Sequence, residues 1–352
     1  MNKIPVAIVG LGRIASLLED DGRREKPCTH AGAVAANNDC TLVSGCDTDE
    51  TRRRLFAERW HVPIYPKAAA MLREHRPGIL IIATDPSSHE EYCSLAYANG
   101  VPVAVCEKPL ADTLARARKI ASLAGQKLPA PGSSGGFKIL VNHERRYSAD
   151  YIRAREILES GRLGALISVR GVLYMGKGRR LIDVLWHDGT HLADAIMFLT
   201  GCTLRQVQTW GSPLKGREGT AYLEGLLALP QNTGPGARRG GGKEKEKEFP
   251  CVIELGAQRD HLVFEIEFSC EAGRLRIGNG VYEVWESADC PYAEGFRSLL
   301  PAPDRFQGKT GYFTSMIADA VNCVRNPSLQ PRSSALDALK VIEYLDAVKS
   351  LR

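Results

Sequence analysis

Long apolar runs, an excess of charge of one sign and closely paired cysteines are all scarce in this sequence of 352 residues. No segment approaches the roughly 20 apolar residues that a membrane-spanning helix needs. The apolar run near the N-terminus is short and is broken by Arg13, so we predict neither a secretion signal nor an anchor. The formal net charge is only +5 and forms no long basic face. We therefore expect no nucleic-acid partner and no membrane partner. The small surplus of positive charge suits an anionic small ligand.

The ten cysteines stand singly, without a Cys-x-x-Cys pair and without the spacing of a zinc site. We therefore expect reduced thiols, a cytoplasmic protein and no metal. Hydrophobic residues make up 44% and charged residues 25% of the chain, which is typical of a globular protein. The length favours two domains over one.

The first dozen residues contain the most informative motif. An apolar run at 4–9 leads into Gly-Leu-Gly-Arg-Ile-Ala at 10–15, which has the pattern of a dinucleotide-binding turn. Gly10 permits a tight turn after a buried parallel strand. Gly12 lets the backbone approach a pyrophosphate at the N-terminus of the next helix. The motif alone is weak, because many strand-to-helix turns contain glycine.

A second short strand at 40–46 ends in Asp47, at the place where the ribose hydroxyls of an adenosine would lie. A carboxylate there repels the 2′-phosphate of NADP, so Asp47 favours NAD, although Arg52 follows a few residues later. The spacing from the glycine motif is long because residues 19–27 form a polar insertion in the first crossover. The alternative is that Asp47 only caps a turn.

Strands and helices alternate up to a strand at 138–143, as in a doubly wound parallel sheet. From residue 166 onward the pattern changes to successive strands of a largely antiparallel sheet. The sequence therefore predicts an α/β Rossmann domain over 1–145 and an α+β domain with a large, mostly antiparallel open sheet over 146–352. Residues 234–248, rich in Gly, Lys and Glu, are expected to form a disordered hairpin loop.

Glu107-Lys108-Pro109 follows an apolar strand at its carboxyl end, the edge of an open sheet where ligands bind. The Lys108 ammonium suits polarising a substrate hydroxyl or carbonyl and relaying a proton. Taken alone, the same residues also fit a surface lysine beside a proline turn.

Two imidazoles and two carboxylates fall within residues 187–194. If this segment opens a helix, His187 and His191 share one face. Imidazole titrates near neutral pH and suits removal of a hydroxyl proton. Two histidines at this spacing also suit zinc, but a Glu next to the first one is absent. A third alternative is that the segment only caps a helix through Asp188 or Thr190.

Taken in order, these pieces resemble the Gfo/Idh/MocA family of glucose–fructose oxidoreductases and inositol dehydrogenases. The resemblance covers nearly all of the chain. It rests on the glycine motif at 10–15, the loop at 84–89, the Glu-Lys-Pro motif at 107–109 and the Gly-x-His-x-x-Asp segment at 189–194. The cofactor-binding residues predicted on this basis are Gly10, Gly12, Arg13, Ile14, Asp47, Thr84, Pro86, His89, Glu107 and Lys108.

The resemblance implies that Lys108 and His191 are catalytic and that the peptide before Pro109 is cis. Members of the family commonly have Asp four residues before the catalytic histidine, where this chain has His187, with Asp188 one place later. Either His187 replaces that acid, or Asp188 takes its place, or the substrate differs from an ordinary polyol.

Arginines near the expected substrate cleft suit a carboxylate or diphosphate on the substrate, although plain solvated charge is the alternative. They motivate the hypothesis of an anionic sugar substrate, including a nucleotide sugar. The predicted substrate-binding residues are Lys108, Arg146, Arg179, Arg180, His187 and His191.

The sequence thus predicts an oxidoreductase that uses NAD in preference to NADP. It would transfer a hydride to or from a secondary alcohol or ketone of a cyclic sugar, a sugar derivative or an inositol. His191 would act as base or acid, Lys108 would orient the substrate oxygen, and His187 or Asp188 would tune the pair. We expect a homodimer or homotetramer formed through the C-terminal sheet. The alternatives are a non-catalytic dinucleotide-binding sensor of the same fold, or a lyase or glycosidase with a recycled cofactor.

Overall fold

The computed structural model describes residues 2–129, 135–229 and 247–350. The loop predicted at 234–248 lies outside the described residues except for its last two positions. None of the described helices is long and apolar enough to cross a membrane. All ten cysteines are free, and nine of them are buried.

The chain forms two compact units. The first joins Met1–Ala149 to Lys309–Ile342, and the second joins Asp150–Gly308 to Glu343–Arg352. The first unit therefore includes a segment that returns from near the C-terminus. The predicted domain boundary near residue 145 stays a prediction.

The first unit contains a six-stranded parallel sheet in the order 3-2-1-4-5-6, which confirms the predicted doubly wound fold. Four of its strands are buried almost throughout, as expected of a parallel sheet with helices on both faces, which explains their near-continuous apolar sequences. The strands are β1 (Ile4–Val9), β2 (Cys40–Cys46), β3 (Ile64–Tyr65), β4 (Ile79–Ile82), β5 (Val103–Cys106) and β6 (Lys138–Val141). The helices are α1 (His30–Ala35), α2 (Glu50–Trp60), α3 (Ala68–His75), α4 (His89–Ala98) and α5 (Leu114–Leu123).

The first crossover differs from the expected single helix after Gly12. Turns lead into a short 3-10 helix, Leu17–Asp20, and α1 begins only after the polar insertion. The His30 and Ala31 amides donate to the carbonyls of residues 14 and 15, at 3.1 and 3.0 Å. The insertion therefore splits the helix, and Thr29 caps the second part by accepting the Gly32 amide.

The second unit contains an eight-stranded sheet in the order 14-13-12-11-7-10-9-8, in which only the pairing of strands 7 and 10 is parallel among the described residues. This confirms the predicted large, mostly antiparallel sheet. The helices of the unit are α6 (Ala149–Glu159), α7 (Leu181–Val184) and α8 (Thr190–Thr200). The strands are β7 (Leu166–Tyr174), β8 (Thr203–Gly211), β9 (Gly219–Ala228), β10 (Glu248–Ala257), β11 (Val263–Cys270), β12 (Gly273–Gly278), β13 (Val281–Asp289) and β14 (Arg297–Pro301).

One helical run carries the predicted histidine segment. It begins with α7, passes through a π-helical turn at Leu185–Gly189 and continues as α8. The buried side of α8 lies close to β7, because a Cβ added at Gly171 would stand 3.0 Å from the Leu192 side chain. Glycine at position 171 therefore lets α8, which carries His191, pack closely against the sheet.

The chain ends with α9 (Tyr312–Arg325) and α10 (Ala335–Ser350). The C-terminal end of α9 is tied to β6 by Lys138, whose ammonium donates to the carbonyls of Cys323 and Asn326 at 2.7 Å each. Burial lowers the pKa of Lys138. This contact anchors the returning segment within the first unit.

Candidate cofactor and catalytic sites

The glycine turn forms one wall of a cleft of about 520 Å³ in the first unit. Gly10 has a φ of +85°, and a Cβ there would lie 2.5 Å from the Ala83 carbonyl oxygen. Gly12 differs, because the nearest atom to an added Cβ is Arg52 Nη1 at 3.8 Å. The backbone requires glycine at position 10, whereas glycine at position 12 leaves room in the cleft. The predicted cofactor residues that line the cleft are Gly10, Gly12, Arg13, Ile14, Asp47 and Thr84.

Asp47 follows β2 directly and is 7% exposed. Its Oδ2 accepts the Leu11 amide at 2.8 Å, and its Oδ1 accepts the Asp49 amide at 2.9 Å. The Arg52 guanidinium lies 3.8 Å from Oδ2. The carboxylate therefore caps the turn and also lines the cleft, and its contact with a ribose stays a prediction.

His89 is fully buried and is not one of the residues that line the cleft. Its Nδ1 is 3.2 Å from the Leu110 carbonyl, and its Nε2 is 3.2 Å from the Thr84 carbonyl. Burial lowers the pKa of His89, although hydrogen bonds to these carbonyls oppose the shift. The imidazole thus ties the loops that follow β4 and β5. Direct contact of His89 or Pro86 with a cofactor stays a prediction.

Glu107 anchors the loop that carries Lys108. Its Oε1 lies 2.7 Å from His30 Nε2 and accepts a hydrogen bond from the side-chain Nδ2 of Asn142 at 2.6 Å, while Oε2 accepts the backbone N–H of Lys108 at 3.3 Å. Burial raises the pKa of Glu107, but His30, Asn142 and Lys108 lower it more, so the net pKa lies below its usual value. The peptide between Lys108 and Pro109 is cis, as predicted.

His30 and Asn142 were not predicted from the sequence. Each stands at an informative position, since Asn142 directly follows β6 and His30 opens α1. A polar residue at the carboxyl end of a parallel strand is the signal that would have identified Asn142.

The second unit brings together three of the predicted residues. Asp188 Oδ2 accepts Arg179 Nη1 at 2.7 Å, and Asp188 Oδ1 lies 3.0 Å from His187 Nδ1. The carboxylate is largely covered, with 18% of its side chain exposed, whereas 59% of the His187 side chain is exposed. Either His187 or Asp188 was expected to take the place of the acid that the family has four residues before its catalytic histidine. In the structure the two side chains contact each other, so the Asp188 carboxylate can orient the His187 imidazole.

The capping alternative for this segment is wrong. The helical run begins at Leu181, and its N-terminal turn is closed by Arg180 and Asp183. Asp188 and Thr190 lie inside the run, where the Thr190 hydroxyl donates to the His187 carbonyl at 3.2 Å. The π-helical turn also replaces the regular helix expected at His187. Such turns are frequent at functional sites.

The other predicted arginines already have acidic partners. Arg180 donates to both oxygens of Asp183, at 2.8 and 2.7 Å. Arg146 is buried in the first unit, where its Nη1 donates to the Arg332 carbonyl at 3.2 Å and lies 3.4 Å from Asp337. Substrate binding by these two residues stays a prediction.

No group of three or more His, Cys, Asp and Glu side chains in the described ranges is arranged to hold a metal ion.

Comparison with known proteins gives three consistent results. Residues 4–128 match the model of an oxidoreductase family with an NAD-binding Rossmann fold, GFO_IDH_MocA. An inositol 2-dehydrogenase of Streptomyces avermitilis is 29% identical over 300 residues, covering 84% of this chain and 78% of that protein. A D-glucoside 3-dehydrogenase of Escherichia coli is 26% identical over 212 residues, covering 56% of this chain and 54% of that protein.

Among solved structures, the WlbA dehydrogenase of Bordetella pertussis in complex with NADH and UDP-GlcNAcA has the same fold. The TM-score is 0.70 at 17% identity, and the match covers 99% of this chain and 96% of that chain.

Proposed function

We propose that the chain is a member of the Gfo/Idh/MocA oxidoreductase family and that it is an NAD-linked dehydrogenase of a cyclic sugar, a sugar derivative or an inositol. One observation carries the proposal. The glycine turn, Asp47 and the Lys108 loop follow β1, β2 and β5 of a single parallel sheet, and the carboxyl ends of parallel strands meet at one edge.

The cleft in the first unit fits a dinucleotide. Gly12 leaves the backbone accessible to a pyrophosphate, and the Asp47 carboxylate suits ribose hydroxyls. The same negative charge disfavours a 2′-phosphate, so we propose NAD as the preferred cofactor. When bound, the nicotinamide ring accepts or supplies the hydride.

We propose the following roles for alcohol oxidation. Lys108 donates a hydrogen bond to the substrate oxygen and holds it in place. His191 takes the hydroxyl proton as the carbon–hydrogen bond breaks with its electron pair and the carbonyl forms. In reduction, His191 returns that proton to the oxygen. His187, oriented by Asp188, adjusts the charge near the base.

The substrate class follows from the relatives and from the charge of this chain. The relatives include an inositol dehydrogenase and a glucoside dehydrogenase, and one neighbouring structure contains UDP-GlcNAcA. Arg179 and Arg180 stand just before the predicted catalytic segment. We therefore propose a ring-shaped polyol or sugar, with an anionic sugar favoured over a neutral one.

The test compares turnover in Lys108→Ala and His191→Ala with turnover in wild type. We expect kcat to fall by about 10²- to 10⁴-fold in each, because each variant removes a proton-handling group. The dissociation constant for NAD should stay near the wild-type value. Lys119→Ala is the matched control, since that lysine is exposed and pairs only on the surface with Glu90. Wild-type turnover in either active-site variant would contradict the assigned roles.

We further propose a cytoplasmic homo-oligomer that associates through the large sheet. Ile167 and Leu299, on β7 and β14, are 51% and 42% exposed, and a subunit contact would cover such side chains. Light scattering on the purified protein should give a mass of two or four chains. The mass of a single chain at micromolar concentration would refute the assembly.

A further inference from the structure

The second unit contains a cavity of about 890 Å³ that is separate from the cleft at the glycine turn and is not lined by His187 or Asp188. It is bounded by the end of β8, the connection from β8 to β9, the start of α7 and the end of α10. Its volume falls within the range of about 300–1,000 Å³ that is typical of small-molecule sites.

A fixed indole ring forms one side of this cavity. Trp210 stacks on Tyr222, with ring centroids 4.1 Å apart and planes 14° from parallel. Its Nε1 donates to Glu224 Oε1 at 2.8 Å. The residue is nevertheless 49% exposed. An indole held on one face and at its nitrogen offers the other face to a planar ring without further loss of side-chain freedom.

The cavity also carries an excess of positive charge. Its cationic side chains are Arg180, Lys215 and Lys349. Its single acidic lining residue, Asp183, forms an ion pair with Arg180. Neither lysine forms an ion pair with any residue in the described part of the chain. Lys349 lies over the ring of Trp186, at 5.9 Å from its centroid. Two ammonium groups therefore remain available for an anion.

We propose that this cavity binds the nucleoside diphosphate portion of a nucleotide-linked sugar. The base stacks on Trp210, and the diphosphate lies between Lys215 and Lys349. A neutral sugar would leave the two ammonium groups unmatched, and a free phosphate would leave the indole face unused. Trp186 lines the cavity and directly precedes His187, so the attached sugar would extend toward the predicted catalytic segment. This inference rests on the proposed function and specifies its substrate class.

The test titrates UDP into the full-length protein saturated with NAD and measures binding by calorimetry. Saturation with NAD blocks the glycine cleft, so the remaining binding reports the second-unit cavity. We expect UDP to bind, and inorganic pyrophosphate to bind at least tenfold more weakly because it has no base. Lys215→Ala, Lys349→Ala and Trp210→Leu should each weaken UDP binding by about tenfold or more.

Lys340→Ala, an exposed lysine of α10, is the matched control and should bind UDP as wild type does. Lys215 is exposed, so its variant keeps the test valid if Trp210→Leu is misfolded. The site is refuted if UDP fails to bind the NAD-saturated protein, if pyrophosphate binds equally well, or if the lysine variants bind UDP normally.

The outcomes separate this site from the proposed reaction. If UDP does not bind but a simple sugar reduces NAD, the proposed dehydrogenase activity is supported and the proposed nucleotide site is refuted. If UDP binds as expected and no substrate reduces NAD, the proposed nucleotide site is supported and the proposed reaction is refuted.

Discussion

Two buried carboxylates, Asp47 and Glu107, hold the carboxyl edge of the parallel sheet in place through backbone and side-chain donors. Both acids were identifiable from the sequence because each directly follows an apolar strand. It did not identify His30 and Asn142, the partners of Glu107, because these are 77 and 35 residues away along the chain. Partners of a buried charge are set by tertiary contacts, which a local pattern does not contain.

Acid stability tests the Glu107 network. The folded protein lowers the pKa of Glu107 below its ordinary value of 4.5, so the ionised group stabilises the fold above that value. This contribution is lost as the pH falls through the lower, folded-state pKa. We predict that the free energy of unfolding falls more steeply between pH 5 and pH 3 in wild type than in Glu107→Gln. Urea titrations across this range measure the difference.

Glu58→Gln is the control for that experiment, since its carboxylate is exposed and pairs with Arg54 on the surface. It should follow the wild-type curve. At pH 7 the Glu107→Gln protein should be less stable by about 1–3 kcal/mol, because the buried donors around residue 107 lose their charged acceptor. Parallel acid curves for Glu107→Gln and wild type would contradict the network.

Cofactor preference tests the role of Asp47. Asp47→Asn removes the charge that opposes a 2′-phosphate and leaves the Arg52 guanidinium without its nearby carboxylate. We predict that the ratio of NADP affinity to NAD affinity rises by about tenfold, equivalent to about 1.4 kcal/mol. Asp49→Asn, which still caps α2 toward the Arg52 amide, should leave the ratio unchanged. An unchanged ratio in Asp47→Asn would mean that the carboxylate only caps the turn.

At the scale of elements, the sequence predicted the apolar strands of the first sheet and the change to a mostly antiparallel second sheet. Buried parallel strands have near-continuous apolar runs, and strands of the second sheet alternate buried and partly buried positions. Three elements were not predicted, namely the split first helix, the π-helical turn and the short strand β14. The first two depend on how an insertion or an extra residue is absorbed, which periodicity does not reveal.

The glycine turn gives a prediction at this scale. Gly12→Ala should weaken NAD binding by about tenfold while leaving the melting temperature unchanged, because its Cβ enters the cleft and meets no backbone. Gly10→Ala should destabilise the fold by about 1–3 kcal/mol, since position 10 has a left-handed φ and no space. Gly22→Ala, with no atom within 4 Å of its Cβ, is the control. Calorimetry and thermal melting measure both effects, and normal NAD binding by Gly12→Ala would exclude the turn as the pyrophosphate site.

At the scale of the whole molecule, composition and length indicated two domains, and the change from alternating to antiparallel pattern located the change of architecture. The return of residues 309–342 to the first unit was not predictable. An apolar helix face such as that of α9 identifies no partner by itself. One contact that holds α9 comes from Lys138, a buried lysine on β6 that nothing in the sequence distinguishes from a surface lysine.

The most direct test of the dehydrogenase assignment is the absorbance at 340 nm of the purified protein with NAD or NADP and a panel of inositols, sugars, sugar acids and nucleotide sugars. We predict a rise with NAD and at least one member of the panel, a smaller rise with NADP, and none in His191→Ala. If wild type binds NAD and no member of the panel changes the absorbance, the assignment is contradicted, and the protein is instead a dinucleotide sensor or an enzyme that recycles its cofactor.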